Sequence, residues 1–284
     1  MARCRAARTA CRRVEEICTL LPVLVRADIG GVVVYRSTRL LHIGVCHAFS
    51  TRLGGFSPAP FDSMNLGNPN GCAIQDDGGR IAENYRKLIA AIGGQGREVL
   101  RVHQVHGAGV VRAERGRIFD VGQKADAIVS NDPLRFVSVR IADCVPVLLA
   151  SDDGAQVAAI HAGWRGVIAQ VALAAVREMG CGGRRITAAI GPCISGEAFE
   201  VGAEVLGAFE NSFGAAAPMR RRADGKGHVD LPEAIRRQLI AAGVEADRID
   251  MTDRCTFRDG DEFFSHRRDH GVTGRMAALI AAAK

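Results

Sequence analysis

The chain has 284 residues, 48% hydrophobic and 24% charged, a balance that supports a large core and excludes extensive disorder. Its formal charge of +6 does not indicate a nucleic-acid partner, because five of the positive charges (Arg3, Arg5, Arg8, Arg12, Arg13) lie in the first thirteen residues and removing them leaves +1. The most apolar early stretch, residues 17–25, is interrupted by Pro22 and falls short of the roughly 18–20 apolar residues that a membrane-spanning helix needs.

Nine cysteines, an odd number with irregular spacing, favour a reduced, cytoplasmic protein over a disulfide framework. Residues 1–22 read as an Arg-rich flexible leader; they lack the Ser content and small-residue cleavage site of a transit peptide. Residues 23–284 contain no linker, repeat or charge block and read as one domain, with a monomer as the favoured state.

In chain order, β-rich runs bounded by turn residues predict strands at residues 32–35 and 42–49. The loop that follows, from Phe49 through Arg52 to Ser57 and on to Met64-Asn65-Leu66-Gly67, is rich in Gly and Ser. Such a loop binds phosphate through backbone amides and a guanidinium, or is a plain turn-rich surface segment. Ile81, Tyr85, Leu88, Ile89 and Ile92 share one helical face, and Gly93-Gly94 stops the helix. Further strands are expected at 99–102, 136–141, 145–150, 156–160 and 186–190, and helices at 166–179, 202–213, 231–242 and 272–283. Strands that cluster early, with helices that do not alternate strictly with them, favour an α+β sandwich over a doubly wound sheet.

The segment from Ala142 to Gly166 carries the chemistry. Two apolar runs flank Ser151-Asp152-Asp153-Gly154, which reads as a hairpin turn. A turn centred between Asp152 and Asp153 sets Cys144 opposite His161, close enough to share one tetrahedral ion or to make a thiolate–imidazole pair. A one-residue slip would separate them to opposite faces. A third ligand comes from Val102-His103-Gln104-Val105-His106-Gly107. His103 and His106 face opposite sides of an extended segment, and His106, beside Gly107, is taken as the one that enters the site. Two histidines and a cysteine leave a fourth position open, the pattern of a catalytic zinc.

The runs QVHG (Gln104 to Gly107), ADC-P (Ala142 to Pro146), HAGWRG (His161 to Gly166), IGPCI (Ile190 to Ile194) with FEVG (Phe199 to Gly202), and FFSHRRD (Phe263 to Asp269) resemble the bacterial laccase-domain family, formerly called multicopper polyphenol oxidases. The resemblance extends from about Leu24 to the C-terminus. It implies a single-domain α/β/β/α sandwich with mixed sheets and a zinc held by His106, Cys144 and His161, which would also be the catalytic residues. It further implies purine nucleosides and phosphate as partners: phosphorolysis of adenosine, inosine and methylthioadenosine, with adenosine deaminase activity. The Arg-rich leader departs from that pattern, as does His266, which stands where a Tyr is common.

For phosphorolysis, Arg52 is the expected phosphate clamp, with Asn65 of the same loop and with Arg165 and Arg267 as helpers. Asp143 is either a proton carrier or a partner that orients a histidine. The paired arginines Arg267 and Arg268 reach an anion or make surface salt bridges. Copper-oxidase chemistry is disfavoured, since the chain has eight histidines and no H-x-H pair. Two alternatives stand beside the zinc enzyme: a metal-free hydrolase or deamidase in which His161 activates Cys144, and a purine-binding protein without turnover.

Overall fold

The computed structural model describes residues 24–69 and 71–284; the leader expected over residues 1–22 lies outside the described residues. Leu24–Ile29 (β1) and Val32–Ser37 (β2) form an antiparallel hairpin across Gly30 and Gly31, both at positive φ. Residues 42–49, expected as one strand, divide. Ser37 accepts from the Leu40 amide to start a short helix, Thr38–Ile43 (α1), Gly44 ends it in the left-handed region, and the extended part is Cys46–Ser50 (β3). The expected amphipathic helix is Gly78–Ala91 (α2), capped by Asp77, with Ile81, Tyr85, Leu88 and Ile89 on its buried face.

Six strands follow: Glu98–Leu100 (β4), Val110–Ala113 (β5), Ala127–Ser130 (β6), Arg135–Ile141 (β7), Val145–Ser151 (β8) and Val157–Ala162 (β9). The helix expected over residues 166–179 is broken into Trp164–Ile168 (α3) and Val171–Met179 (α4). Gln170 between them has φ 61°, a left-handed conformation that a continuous helix cannot contain. The chain continues through Ile186–Ile190 (β10), Glu200–Val201 (β11), Ala203–Phe213 (α5), Met219–Arg221 (β12), Gly227–Val229 (β13), Leu231–Ala241 (α6) and Ile249–Asp250 (β14). It closes on Met276–Ala281 (β15).

That last strand corrects the helix expected over residues 272–283. All six residues of β15 are buried, and it lies between β3 and β7 inside a sheet. An alanine-rich apolar run has helical propensity and no alternation, so its sequence cannot reveal a strand covered on both faces.

Two six-stranded mixed sheets, ordered β1-β2-β3-β15-β7-β4 and β14-β10-β8-β9-β6-β5, stack face to face, and a three-stranded sheet, β11-β13-β12, stands apart. Strand alternation assigns each residue to an interface. Ala277, Leu279 and Ala281 of β15 pack under α2, while Ala278 and Ile280 face the second sheet. Leu148 and Ala150 of β8 with Val157 and Ala159 of β9 complete the core between the sheets. Val145, Val147 and Leu149 face the opposite way, onto Val171, Ala175, Leu206 and Ile235 of the other helices. Three apolar interfaces between four layers make the α/β/β/α sandwich. No helix of the described residues is long and apolar enough to cross a membrane.

Candidate active site

Residues Ala142 to Cys144 carry the chain from β7 in one sheet to β8 in the other, and Asp143 in this crossing has φ 91°. The β8–β9 register pairs Val145 with Ala162 and Pro146 with His161, so continuing it one step sets Cys144 against Gly163. The turn is longer than expected: Ser151 N donates to Gln156 O at 2.9 Å, and Ala150 pairs with Val157. The hairpin centre therefore falls one residue later, and His161 is the diagonal rather than the direct partner of Cys144. A shift of two in the pairing keeps both on one face.

His106 completes the group. The metal-ligating atoms of His106, Cys144 and His161 all lie within 4.8 Å of one another, and the two imidazoles meet nearly edge to face at an interplanar angle of 78°. Gly163 makes the approach feasible, since a Cβ there would lie 2.9 Å from His106 Cδ2 and 3.2 Å from Cys144 Sγ.

One buried carboxylate organises both histidines. Asp126 accepts from His161 Nδ1 at 2.8 Å and from the amides of His106 at 2.9 Å, Gly107 at 2.6 Å and Val105 at 3.3 Å. Fixing Nδ1 as the donor directs Nε2 of His161 toward the other ligands. Burial works against ionising Asp126, yet the bonds from His161 and Gly107 outweigh it and lower its pKa. Burial likewise raises the Cys144 thiol, but the charge of His161 and hydrogen bonds from His106 and His161 bring it down to about 6. Burial depresses His161, while Cys144 and Asp126 raise it to about 9. The two shifts are opposite in sign and together favour the proton on His161 over Cys144.

The trio lies in a cavity of about 390 Å³ whose walls include Trp164, Phe199, Ile194, His266 and the guanidinium groups of Arg140, Arg165, Arg267 and Arg275. A match to the family model described as "Multi-copper polyphenol oxidoreductase laccase" covers residues 46–283. The chain belongs to this family. Within it, the chain is 36% identical over 245 residues to a purine nucleoside phosphorylase of Deinococcus radiodurans, covering 85% of this chain and 91% of the relative. It is 39% identical over 237 residues to purine nucleoside phosphorylase YfiH of Escherichia coli, covering 84% and 93% respectively. The crystal structure of YlmD from Geobacillus stearothermophilus superposes with a TM-score of 0.80 at 29% identity, over 91% of this chain and all of that one.

The laccase-family cavity receives some of the expected residues and not others. Arg165 lines it, stacked 4.3 Å over Trp164. Arg52 does not line it: its guanidinium donates to Asp62 O at 2.8 Å and Gly260 O at 3.1 Å, pairs with Asp62 Oδ1 at 3.1 Å and lies over Phe264. The Gly- and Ser-rich loop spends its polar groups on its own closure instead of on an anion. Asn65 is fully buried, bonding Asp76 Oδ2 at 2.9 Å and accepting from the amides of Gly67 and Arg275, so it supports the wall from behind. His103 is exposed and outside the cavity, bridged to Lys124.

Asp143 lines the cavity but does not orient a histidine. Its oxygens accept from Thr256 Oγ1 and from the Arg267 amide, both at 2.7 Å, tying the HRRD segment to the crossing. Asp126 is the carboxylate that orients the histidine. Nothing short-range in the run Lys124-Ala125-Asp126-Ala127 marks it, because its partners come from the QVHG loop and from β9. Gln104 of QVHG docks that loop on β7, its side chain donating to Arg140 O and accepting from Arg140 N, each at 2.8 Å.

Proposed function

We propose that this chain is a zinc-dependent purine nucleoside phosphorylase that converts adenosine, inosine or methylthioadenosine and phosphate to the free base and the ribose 1-phosphate species, and that also deaminates adenosine. The observation that carries the reading is the convergence of His106, Cys144 and His161 at one end of the two sheets, in a cavity whose roughly 390 Å³ suits a small molecule. The relatives named as purine nucleoside phosphorylases supply the reaction class.

The donor set fits zinc: one thiol of lowered pKa, two imidazoles, and a carboxylate behind one imidazole. A mononuclear copper site with the same donors often takes a methionine as axial ligand, and among the described residues no methionine lines this cavity. When bound, zinc supplies Lewis acidity toward an oxygen or nitrogen of the substrate. The chain's own groups do the rest. Trp164 and Phe199 give the cavity aromatic surface for a purine, each with one ring face covered by an arginine, and the cationic wall attracts a phosphate dianion and positions it for attack on C1′.

For proton transfer, His266 is preferred to Asp143, the other titratable wall residue outside the trio and the arginines, because the Asp143 carboxylate already accepts from Thr256 and from the Arg267 amide. Burial, then the charge of Arg275, lowers the pKa of His266, so it stands neutral and able to accept a proton at pH 7.

Chromatography of adenosine incubated with the protein, with and without phosphate, tests the assignment. Adenine and ribose 1-phosphate are expected only with phosphate, and inosine in either case; unchanged adenosine in both would overturn both activities. The lowered thiol of Cys144 is the observation that favours a metal-free Cys144–His161 hydrolase. Stoichiometric zinc that is lost in His106→Ala would decide against it.

A further inference from the structure

Arg140 and Arg275 stand together in the cavity, and neither forms an ion pair with Asp143, the carboxylate of its lining, whose oxygens accept from Thr256 and from the Arg267 amide. The β7–β15 register pairs Arg140 with Ala277, so Arg275, two residues before Ala277, is the diagonal neighbour of Arg140 on the same face. Both are half-buried, and both line the cavity. Arg275 donates through Nη1 to the carbonyl oxygens of Thr273 and Gly274, at 3.0 Å each. Among the described residues, the ion pairs formed by arginine involve neither of the two. Burial, then the charge of Arg140, makes the Arg275 cation less favourable than a free guanidinium, and the opposing charges of Cys144 and Asp143 only partly offset this.

The fold nevertheless holds them in place. Gln104 clamps the Arg140 backbone, and Asn65 Oδ1 accepts from the Arg275 amide at 2.9 Å. Gly67 leaves room for the Arg140 side chain, since a Cβ at that position would lie 2.7 Å from Arg140 Cδ. The other two cavity arginines are placed differently. Arg165 is exposed over Trp164, and Arg267 donates to Glu200 O at 2.9 Å and lies over Phe199.

Two adjacent, partly desolvated guanidinium groups with no ion-pair partner are stabilised when an anion joins them, and their planar forks match the oxygens of a tetrahedral oxyanion. We propose that Arg140 and Arg275 form the oxyanion subsite of this cavity and bind inorganic phosphate there. That phosphate is the physiological anion rests on the phosphorylase reading; the subsite itself rests on the geometry.

Calorimetric titration of the purified full-length protein with inorganic phosphate tests this, using wild type, Arg140→Gln, Arg275→Gln, both Arg→Lys variants and Gly67→Ala. Wild type is expected to bind phosphate saturably, each Gln variant about tenfold or more weakly, the loss of one charge-assisted contact. The Lys variants should fall between, keeping a charge but losing the fork. Gly67→Ala should weaken binding while leaving every charge in place, and it decides the matter if the arginine variants fail to fold by thermal melting without phosphate. Wild type that does not bind phosphate, or folded variants that bind it as wild type does, would overturn the subsite. Product analysis separates the two claims. Phosphate bound through the pair with no base released leaves the subsite standing and removes the phosphorylase reading. Phosphorolysis with an unchanged phosphate KM in both Gln variants does the reverse.

Discussion

Asp126→Asn keeps the shape of the residue that organises the site and removes half its acceptor capacity. The buried carboxylate takes four donors: His161 Nδ1 and the His106 amide on Oδ1, and the Gly107 and Val105 amides on Oδ2. Asparagine has one acceptor oxygen, so in either orientation its NH2 group faces two donors. Turned one way, it unpairs the His161 ring and the His106 amide; turned the other, it unpairs Gly107 at 2.6 Å and Val105, whose bond is the longest at 3.3 Å. An unsatisfied buried donor costs about 1–3 kcal/mol, so the pair costs about 2–5 kcal/mol in the cheaper orientation. The same change loosens both imidazoles, and partners of this kind are typically worth about 10–100-fold in metal affinity or activity. Urea unfolding should show the loss of stability, and competition with a zinc chelator should show release at correspondingly lower chelator concentration. A variant within about 0.5 kcal/mol of wild type that retains zinc equally would refute this account of Asp126.

Gly163→Ala places a Cβ 2.9 Å from His106 Cδ2 and should lower zinc retention with little change in global stability; metal content after gel filtration reads it, and full occupancy would count against the geometry. His47 accepts from the Ser37 amide at 2.9 Å, and burial lowers its pKa to about 4, below the unfolded value of about 6.5. The unfolded chain therefore takes up the proton first as pH falls: the stability from neutral His47 is complete above about pH 6.5, down by about 2 kcal/mol at pH 5 and lost by about pH 4. Urea midpoints of wild type and His47→Gln should converge over that interval, and a constant difference would show that His47 does not titrate as described. Ala278→Leu inserts bulk where β15 faces the second sheet and should destabilise by about 1–3 kcal/mol in thermal or urea unfolding, whereas a neutral result would mean the sheets are not packed closely there.

Parity explains what was legible in the sequence. The pairing of Cys144 with His161 survived a turn misplaced by one residue because the resulting register shift is two, and two is the period of a strand. Strands with alternating or β-branched faces, such as Ile186–Ile190, were readable on the same ground, while the alanines of β15 hid a central strand behind helical propensity. Residues whose partners lie far along the chain left no local pattern, and Asp126, Arg140 and Arg275 are of this kind. Arg52 misled for the opposite reason: a loop composed for anion binding satisfies its own polar groups.

The same geometric rule recurs on both sheets. At the end where β7 passes into β8, each sheet presents one diagonal same-face pair across antiparallel neighbours: thiol and imidazole on β8–β9, two guanidinium groups on β7–β15. The short crossing through Asp143 holds the two pairs relative to each other, since Asp143 is anchored to Thr256 and to the Arg267 amide. A soft-donor centre and an anion cradle then face one cavity from two rigid sheets. A nucleoside bound at the first and a phosphate at the second would meet with neither having to recruit a mobile loop, which is how orientation contributes to rate in a two-substrate reaction.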